Sequence, residues 1–298
     1  MSSASGPNTT VQPAGTANIS IREYIYFLPH PLPPNTPVPY SIHLPTKNPL
    51  NLPATQFEPT STLVLTSLLN TFVDIRLFTP RHPDELALPN HGERDRLEWA
   101  FAGSSLSVPI ADPHVSKPGT EKPWANVSKS TWTHWLDSRF HVGSKVIPVD
   151  EGLMYLISAT QTLEHGYAFH PSLGKVAGHE EMWRDVAVLP TGSGAKGKKV
   201  CVVMRLHNDA VGARGVIVRL GQYCQGIVML GKYSTIERWE FGGGEGGGSE
   251  KDGGWKRTAR VGDQFLPCSV TWREEIVRVG AKVKYHDYEW AVEEAWEW

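Results

Sequence analysis

The stretch of sequence that decides the fold is TLVLTSLLNTFVDIRLFT, residues 62–79. Its two apolar runs flank Asn70 and are rich in β-branched and aromatic residues, which favour strands over helices. The pattern predicts a β-hairpin with Val64 and Val73 in opposite arms. Upstream, Ile19–Leu28 (ISIREYIYFL) has the same composition and is stopped by a proline, so it is predicted to be a strand as well.

Similar features recur later in the chain. A second hairpin is predicted at Val200–Leu206 and Gly215–Leu220, where apolar side chains alternate along both arms. The segment Leu97–Gly103 (LEWAFAG) is echoed by Glu237–Gly242 (ERWEFG), which shares Trp-x-Phe followed closely by Gly. A third pair consists of β-rich runs closed by Leu-Pro, at residues 28–29 and 189–190. Three pairs in the same order predict an internal duplication, with chance similarity of β-rich segments as the alternative.

These patterns predict a mainly β protein of two similar antiparallel β-barrel domains, because closure removes exposed strand edges. A small, polar N-terminal arm, residues 1–17, is expected to be disordered. The first barrel is expected at residues 18–172 with a Pro-rich loop at 29–58. The second is expected at 173–298 with a Gly-rich loop at 242–254.

Composition narrows the functional classes. The 298 residues are 40% apolar and 20% charged, which is typical of a globular chain, and the net charge of −2 gives no basic footprint for nucleic acid or anionic lipid. No apolar run approaches the roughly 20 residues that a membrane-spanning helix needs. Three widely spaced cysteines and an N-terminus without a secretory signal favour a cytoplasmic location, with entry to the nucleus left open.

No motif for catalysis, a cofactor or a metal is complete. Gly192–Lys198 fits the spacing GxxxxGK, but Lys199 replaces the required Ser or Thr and a strand is predicted to follow. The histidines at 165, 170 and 179 fit no zinc signature and are interpreted as surface residues near a domain junction. We therefore expect no cofactor and no metal site, assign no catalytic residue, and leave enzymatic activity open while favouring its absence.

Two sets of residues are candidates for function. If both halves close into barrels, the aromatic pairs of the two Trp-x-Phe segments are candidates to line an apolar cavity, with ordinary core packing as the alternative; they are Trp99, Phe101, Trp239 and Phe241. Serines in the Gly/Ser-rich stretches GSSLS and GGGSEKD are candidate phosphorylation sites in exposed loops, with solvated linker serines as the alternative; they are Ser104, Ser105, Ser107 and Ser249.

Several short strings resemble a fungal family, the Hri family, typified by a yeast protein named for its interaction with a casein-kinase-one-type kinase. The most distinctive is Leu97–Gly103 (LEWAFAG); the others, in order, are Trp135–Asp137, Met182–Val186, Gly215–Val218 with Gln225–Gly226, and Tyr288–Trp290. The resemblance implies two lipocalin-like β-barrels, an intracellular location and binding to such a kinase. It implies no catalytic residue.

Two functional hypotheses follow. The first is a non-enzymatic intracellular interaction protein whose partner is a protein kinase, with no nucleic-acid binding and no membrane insertion. The second is a small-molecule binder, or an isomerase or cyclase, that uses an apolar barrel cavity. The two differ in whether a barrel is filled by side chains or open.

Overall fold

The computed structural model describes residues 15–43, 50–52, 58–111, 113, 126–171, 173–191, 197–242 and 254–298. These contain fifteen strands and short 3-10 helices at Ser41–His43, Arg94–Arg96, Asp209–Val211 and Cys268–Trp272. Within this part of the chain no helix is long and apolar enough to cross a membrane. The mainly β composition predicted from the sequence is confirmed.

The first eight strands form a closed antiparallel barrel in which each pairs with the next and β8 returns to β1. They are β1 (Asn18–Leu28), β2 (Thr60–Thr66), β3 (Thr71–Phe78), β4 (Leu97–Ile110), β5 (Val127–Asp137), β6 (Val149–Leu156), β7 (Gln161–His170) and β8 (Lys175–Val186). The predicted hairpin at 62–79 is β2–β3, with Val64 and Val73 in opposite arms. Asn70 forms the turn with a φ of 64°, in the left-handed region that Asn tolerates.

The barrel extends beyond the expected boundary between residues 172 and 173. Strand β8, which was expected to begin the second domain, pairs with β7 along Gln161–His170 and with β1 from Ile19 to Leu28. Without β8 the barrel would be open between β1 and β7. The change from barrel to second sheet therefore falls after Val186.

The second half forms a seven-stranded sheet of order β13-β12-β11-β10-β9-β15-β14, which is not closed among the described residues, so the expected second closed barrel is wrong. Its strands are β9 (Val200–Asn208), β10 (Ala213–Leu220), β11 (Tyr223–Leu230), β12 (Tyr233–Phe241), β13 (Trp255–Val261), β14 (Lys282–Tyr285) and β15 (Tyr288–Glu297). The segment at 275–279 is irregular and lies over one face of the sheet instead of extending it.

One hydrophobic core lies between the barrel and the second sheet. The outward side chains of β2 and β3, such as Leu63 and Ile75, pack there with side chains of β10 and β11, such as Val216 and Ile227. Buried Gln225 crosses this core and donates through Nε2 to two β2–β3 carbonyl oxygens, each at 2.8 Å. Successive residues of a strand face opposite sides of the sheet. Because the apolar residues of β2 and β3 face outward into this core, the residues between them point into the barrel.

The other face of the second sheet is covered by the chain between β13 and β14. Trp272 of this covering segment stacks on Trp255 with ring centroids 4.7 Å apart and planes inclined by 9°. Buried Cys268 and Leu266 complete the same cluster. This face is therefore packed with aromatic and sulfur-containing side chains.

The Pro-rich loop expected at 29–58 is described in part. Residues 29–43 lie against the outside of the barrel, where the buried carboxylate of Glu180 accepts hydrogen bonds from the backbone N–H groups of Tyr40, at 2.6 Å, and Ser41. Residues 44–49 and 53–57 lie outside the described residues, as do 1–14 of the predicted arm and 243–253 of the predicted Gly-rich loop.

Candidate binding cavity in the first barrel

The barrel contains a cavity of about 990 Å³ that extends along its length. This volume lies at the upper end of the range of roughly 300–1,000 Å³ typical of small-molecule sites. Its wall comes from all eight strands, because inward-facing positions alternate with the outward ones that form the core. The cavity is therefore a property of the whole barrel.

An ion-paired network crosses the middle of the cavity. Arg22 of β1 donates through Nη1 to Glu181 of β8 at 2.8 Å and through Nε to Glu58 at 2.9 Å. Arg76 of β3 donates through Nη2 to Asp74 at 2.9 Å and through Nη1 to Glu181 at 3.3 Å. Burial by itself raises the pKa of Glu181, but the two facing guanidinium groups outweigh it and lower that pKa to about 2.

Aromatic rings pack against this network. Trp99 and Phe101 of β4 both line the cavity, and their ring centroids are 4.2 Å apart. The guanidinium of Arg76 lies 5.2 Å from the centroid of Trp99, and that of Arg139 lies 3.9 Å from it. Arg139 is in turn paired with Glu98 at 2.5 Å. Trp99 is thus held by cation–π contacts and by its neighbouring ring.

A second polar chain fixes the edge of Trp99. Its indole Nε1–H donates to Asp137 at 2.8 Å, and Asp137 bonds to Nδ1 of buried His134 at 3.0 Å. His134 Nε2 lies 3.3 Å from a carboxylate oxygen of Asp150, which lines the cavity. Burial lowers the pKa of His134, but the bonds to the two carboxylates outweigh it and the net shift is upward.

A third group, on β7 and β8, places a carboxylate on the opposite wall. Glu164 accepts a hydrogen bond from Trp183 Nε1 at 2.9 Å and lies 3.7 Å from Nε2 of His179. Burial raises the pKa of Glu164. His179 bonds through Nδ1 to His170 Nε2 at 3.3 Å, and burial with the adjacent His179 lowers the pKa of His170 to about 4.

The charges in the cavity wall are unequal. Each of the three arginines there, Arg22, Arg76 and Arg139, already faces at least one carboxylate within 3.3 Å. Carboxylates outnumber them; those that line the cavity are Asp74, Glu98, Asp150, Glu151, Glu164, Glu181 and Asp185. An incoming anion would meet no cation free of a carboxylate among these described residues.

The two ends of the cavity differ in chemistry. Small polar side chains, including Ser20, Thr66 and Ser107, line one end, and Ser107 and Ser130 share a hydrogen bond of 2.7 Å. Apolar side chains line the other end, which we call the apolar mouth; they are Phe27, Phe78, Phe140, Val146, Pro148, Val149, Phe169, Pro171 and Val176. The gradient suits an amphipathic molecule aligned along the barrel.

The four aromatic residues singled out from the sequence have different surroundings. Trp99 and Phe101 line the cavity of the first barrel. Trp239 and Phe241 lie on β12, where Trp239 packs against Trp272 with centroids 5.5 Å apart and Phe241 against Trp255 at 5.6 Å. The second pair is therefore part of the packed face of the open sheet.

The candidate phosphorylation sites are also placed differently from expectation. Ser104, Ser105 and Ser107 belong to strand β4, paired with β5, and not to a loop, because the strand runs on to Ile110. Ser105 and Ser107 line the cavity. Ser249 lies outside the described residues. Phosphorylation of these serines stays a prediction.

The histidines at 165, 170 and 179 were interpreted as surface residues, and this was wrong for His179, which is buried beside buried Glu180 and Glu181. The alternation H-x-E-x-W at 179–183 is the signal that could have placed His179, Glu181 and Trp183 on one strand face. The pair D-x-R at 74–76, embedded in apolar β3, is the equivalent signal on the opposite wall. No cluster suited to a metal ion is found among the described residues.

Comparison with known proteins supports the fold. The crystal structure of an uncharacterized protein from Saccharomyces cerevisiae matches with a TM-score of 0.59, covering 94% of this chain and 98% of the other at 15% identity. No curated protein matches the sequence. The family described as Protein HRI1 matches residues 43–294, so the chain belongs to that family, as the resemblance of the sequence indicated.

Proposed function

We propose that the closed barrel binds a small apolar molecule that is neutral or positively charged. The observation that carries the proposal is the open cavity of about 990 Å³, lined by Trp99 and Phe101. A barrel of eight strands is wide enough to hold one small ligand when its side chains leave the interior free. Of the two hypotheses drawn from the sequence, the open cavity favours the small-molecule binder.

The wall charges support the choice of ligand class. A fatty-acid carboxylate would have to displace a carboxylate from Arg22, Arg76 or Arg139, which costs an existing charge-assisted hydrogen bond. A hydroxyl or ammonium group can instead donate to the carboxylates, and a hydroxyl can also accept from the small polar side chains at one end. The apolar mouth then contacts the remainder of the ligand.

The proposal is tested by displacement of the neutral dye Nile red from the full chain. Three competitors share a twelve-carbon chain and differ only in the head group: dodecanol, dodecylamine and dodecanoate. Dodecanol and dodecylamine are expected to displace the dye at concentrations at least tenfold lower than dodecanoate. Equal displacement by all three, or preference for dodecanoate, would overturn the assignment of ligand class.

A variant that fills the cavity tests the location. Val64 faces the cavity from β2, so V64W should occupy the space and weaken dye binding at least tenfold. The matched control is V211W, because Val211 is 61% exposed on the second half of the chain. Undiminished dye binding by V64W, with circular dichroism as in the control, would place the site elsewhere.

Kinase binding stays a prediction from the family resemblance. An intracellular location and phosphorylation also stay predictions, the latter from the Gly/Ser-rich stretches of the sequence. The kinase prediction is checked by mixing the purified chain with a casein-kinase-one-type kinase and measuring co-elution at low salt. Absence of a complex at micromolar concentrations of both proteins would count against it. This outcome is read separately from the dye experiments, because it measures co-elution of two proteins and not occupancy of the cavity.

We also infer an internal duplication from strand order. In each half the first strand pairs with a strand from later in the chain: β1 with β8 in the barrel, and β9 with β15 in the second sheet. If β1 and β9 are each counted as the first strand, the fourth strands are β4 and β12. These are the two strands that carry Trp-x-Phe. By the same count β2–β3 corresponds to β10–β11, one strand later than the pairing drawn from the sequence. A superposition of the two sheets that places Trp99 on Trp239 is the test.

A further inference from the structure

The apolar mouth of the cavity carries exposed hydrophobic side chains. Val146 is 76% exposed, Phe169 59%, Val149 52% and Val176 45%, and all four border the cavity. Single exposed apolar residues are common, but a contiguous group of them is typical of an interaction site. Here the group surrounds an opening that leads to an apolar interior.

The strand register places these residues side by side. Phe169 and Val176 are cross-strand partners in β7 and β8. Val149 begins β6, Phe169 lies next to the last residue of β7, and both border the cavity at this mouth. Val146 lies on the connection before β6, which is anchored where Val142 N–H donates to the Gly231 carbonyl at 2.9 Å. The rim is thus presented by paired strands and an anchored loop.

The local charge of this rim is positive. Lys145 and Lys175, each adjacent in sequence to a rim valine, are exposed, and neither forms an ion pair among the described residues. The nearby carboxylates of the barrel wall are already engaged: Glu98 with Arg139, Glu151 with Lys129 and Asp150 with His134. The net charge of −2 for the whole chain therefore conceals a local patch of opposite sign.

We infer that the apolar mouth docks on an anionic phospholipid surface. Val146 and Phe169 enter the boundary between head groups and acyl chains, while Lys145 and Lys175 contact the anionic head groups. The inference rests on the proposed function, since docking in this orientation opens the cavity toward the phase in which an apolar ligand dissolves. The membrane surface would then deliver the ligand to the cavity or receive it from the cavity.

The test is co-sedimentation of the full chain with phosphatidylcholine vesicles prepared with and without phosphatidylserine. Binding is expected only to vesicles that contain phosphatidylserine, and is expected to weaken as salt is raised. The variant K145Q/K175Q should weaken binding by about fivefold for each lysine removed, and V146S/F169S should weaken it at least tenfold. Matched controls are K256Q and V279S, because Lys256 is exposed on β13 and Val279 is 66% exposed, both away from the mouth.

The outcomes separate this inference from the proposed function. Equal binding to both kinds of vesicle, binding to neither, or equal effects of the rim and control variants would overturn docking, and the rim would then be assigned to a protein partner. Nile red binding without vesicles should be unchanged in K145Q/K175Q. Conversely, V64W that loses dye binding but still sediments with anionic vesicles would support the surface independently of the cavity.

Discussion

The barrel and the second sheet use one sequence feature in two ways. Both have a strand with Trp-x-Phe, and in each the indole N–H donates to a carboxylate, from Trp99 to Asp137 at 2.8 Å and from Trp239 to Glu237 at 2.8 Å. In the barrel the rings border an open cavity. In the second sheet the segment between β13 and β14 covers them and contributes Trp272.

The difference comes from what closes each sheet. The barrel closes on itself through β8, so its interior is bounded mainly by strands and holds charged groups that pair across it. The open sheet is covered by an irregular segment, which supplies side chains that fill the space. A sheet that closes on itself through strand pairing leaves an interior space for a ligand. A sheet covered by a packed segment has that space filled by side chains, which stabilise the fold.

The largest expected effect is the loss of a filling side chain from the covered face. W255A should lower the free energy of unfolding by about 3–5 kcal/mol, because Trp255 is buried and stacks on Trp272. W132A, at a half-buried position bordering the barrel cavity, should cost about 1 kcal/mol, since the ring already faces open space. Urea unfolding of both variants makes the comparison, and equal losses would mean that the barrel wall is as tightly packed as the covered face.

The glycines that follow the two Trp-x-Phe segments sharpen the same contrast. A Cβ at Gly103 would lie 1.8 Å from the Thr133 carbonyl oxygen, at the irregularity where β4 and β5 shift register, whereas the nearest atom to a Cβ at Gly242 is 4.0 Å away. G103A should therefore destabilise the protein by about 3 kcal/mol or more, and G242A by less than about 1 kcal/mol. Thermal unfolding of the pair is the measurement; similar melting temperatures would show that β4 can shift away from β5.

The buried carboxylate at the centre of the barrel provides the next prediction. E181Q should destabilise by about 3 kcal/mol, because it removes a charge shared by Arg22 and Arg76. The pKa of Glu181 is lowered to about 2, so its contribution to stability is complete above the ordinary value of 4.5 and is lost as pH falls toward 2. The variant should accordingly lose less stability than the wild type on acidification from pH 5 to pH 3.

Its control is E289Q, at an exposed ion pair with Lys282, which should change stability much less than E181Q does and leave the loss of stability at acid pH unchanged. If E181Q loses as much stability between pH 5 and pH 3 as the wild type does, the acid sensitivity comes from other carboxylates. A small effect of E181Q at neutral pH would mean that Glu58 and Asp74 suffice to neutralise the two guanidinium groups.

The sequence predicted the strands that carry strong alternation and missed what depends on distant pairing. Both hairpins and the Trp-x-Phe strands are recognisable because apolar and polar residues alternate locally. That β8 closes the first barrel could not be predicted, since it pairs with β1 and the partners of Glu181 come from β1 and β3, far away in sequence. The sequence also could not predict that the apolar residues of β2 and β3 face out of the barrel. Alternation shows that a strand has an apolar and a polar face, but not which face lies inside the barrel.

The smallest predicted effect concerns His134, which contacts the Trp99 side of the cavity through Asp137. Its pKa is raised: burial opposes the charged form, but Asp137 and Asp150 stabilise it more. A raised histidine pKa contributes stability that is complete below the unfolded value of about 6.5 and is lost as pH rises through the folded value. H134Q should therefore show a flatter dependence of stability on pH above 6.5 than the wild type, measured by urea unfolding across pH 6 to 9.

H207Q is the control, because His207 pairs with Asp209 at an exposed site on the second sheet. A slope in H134Q as steep as that of the wild type would contradict the assignment of this pH dependence to His134.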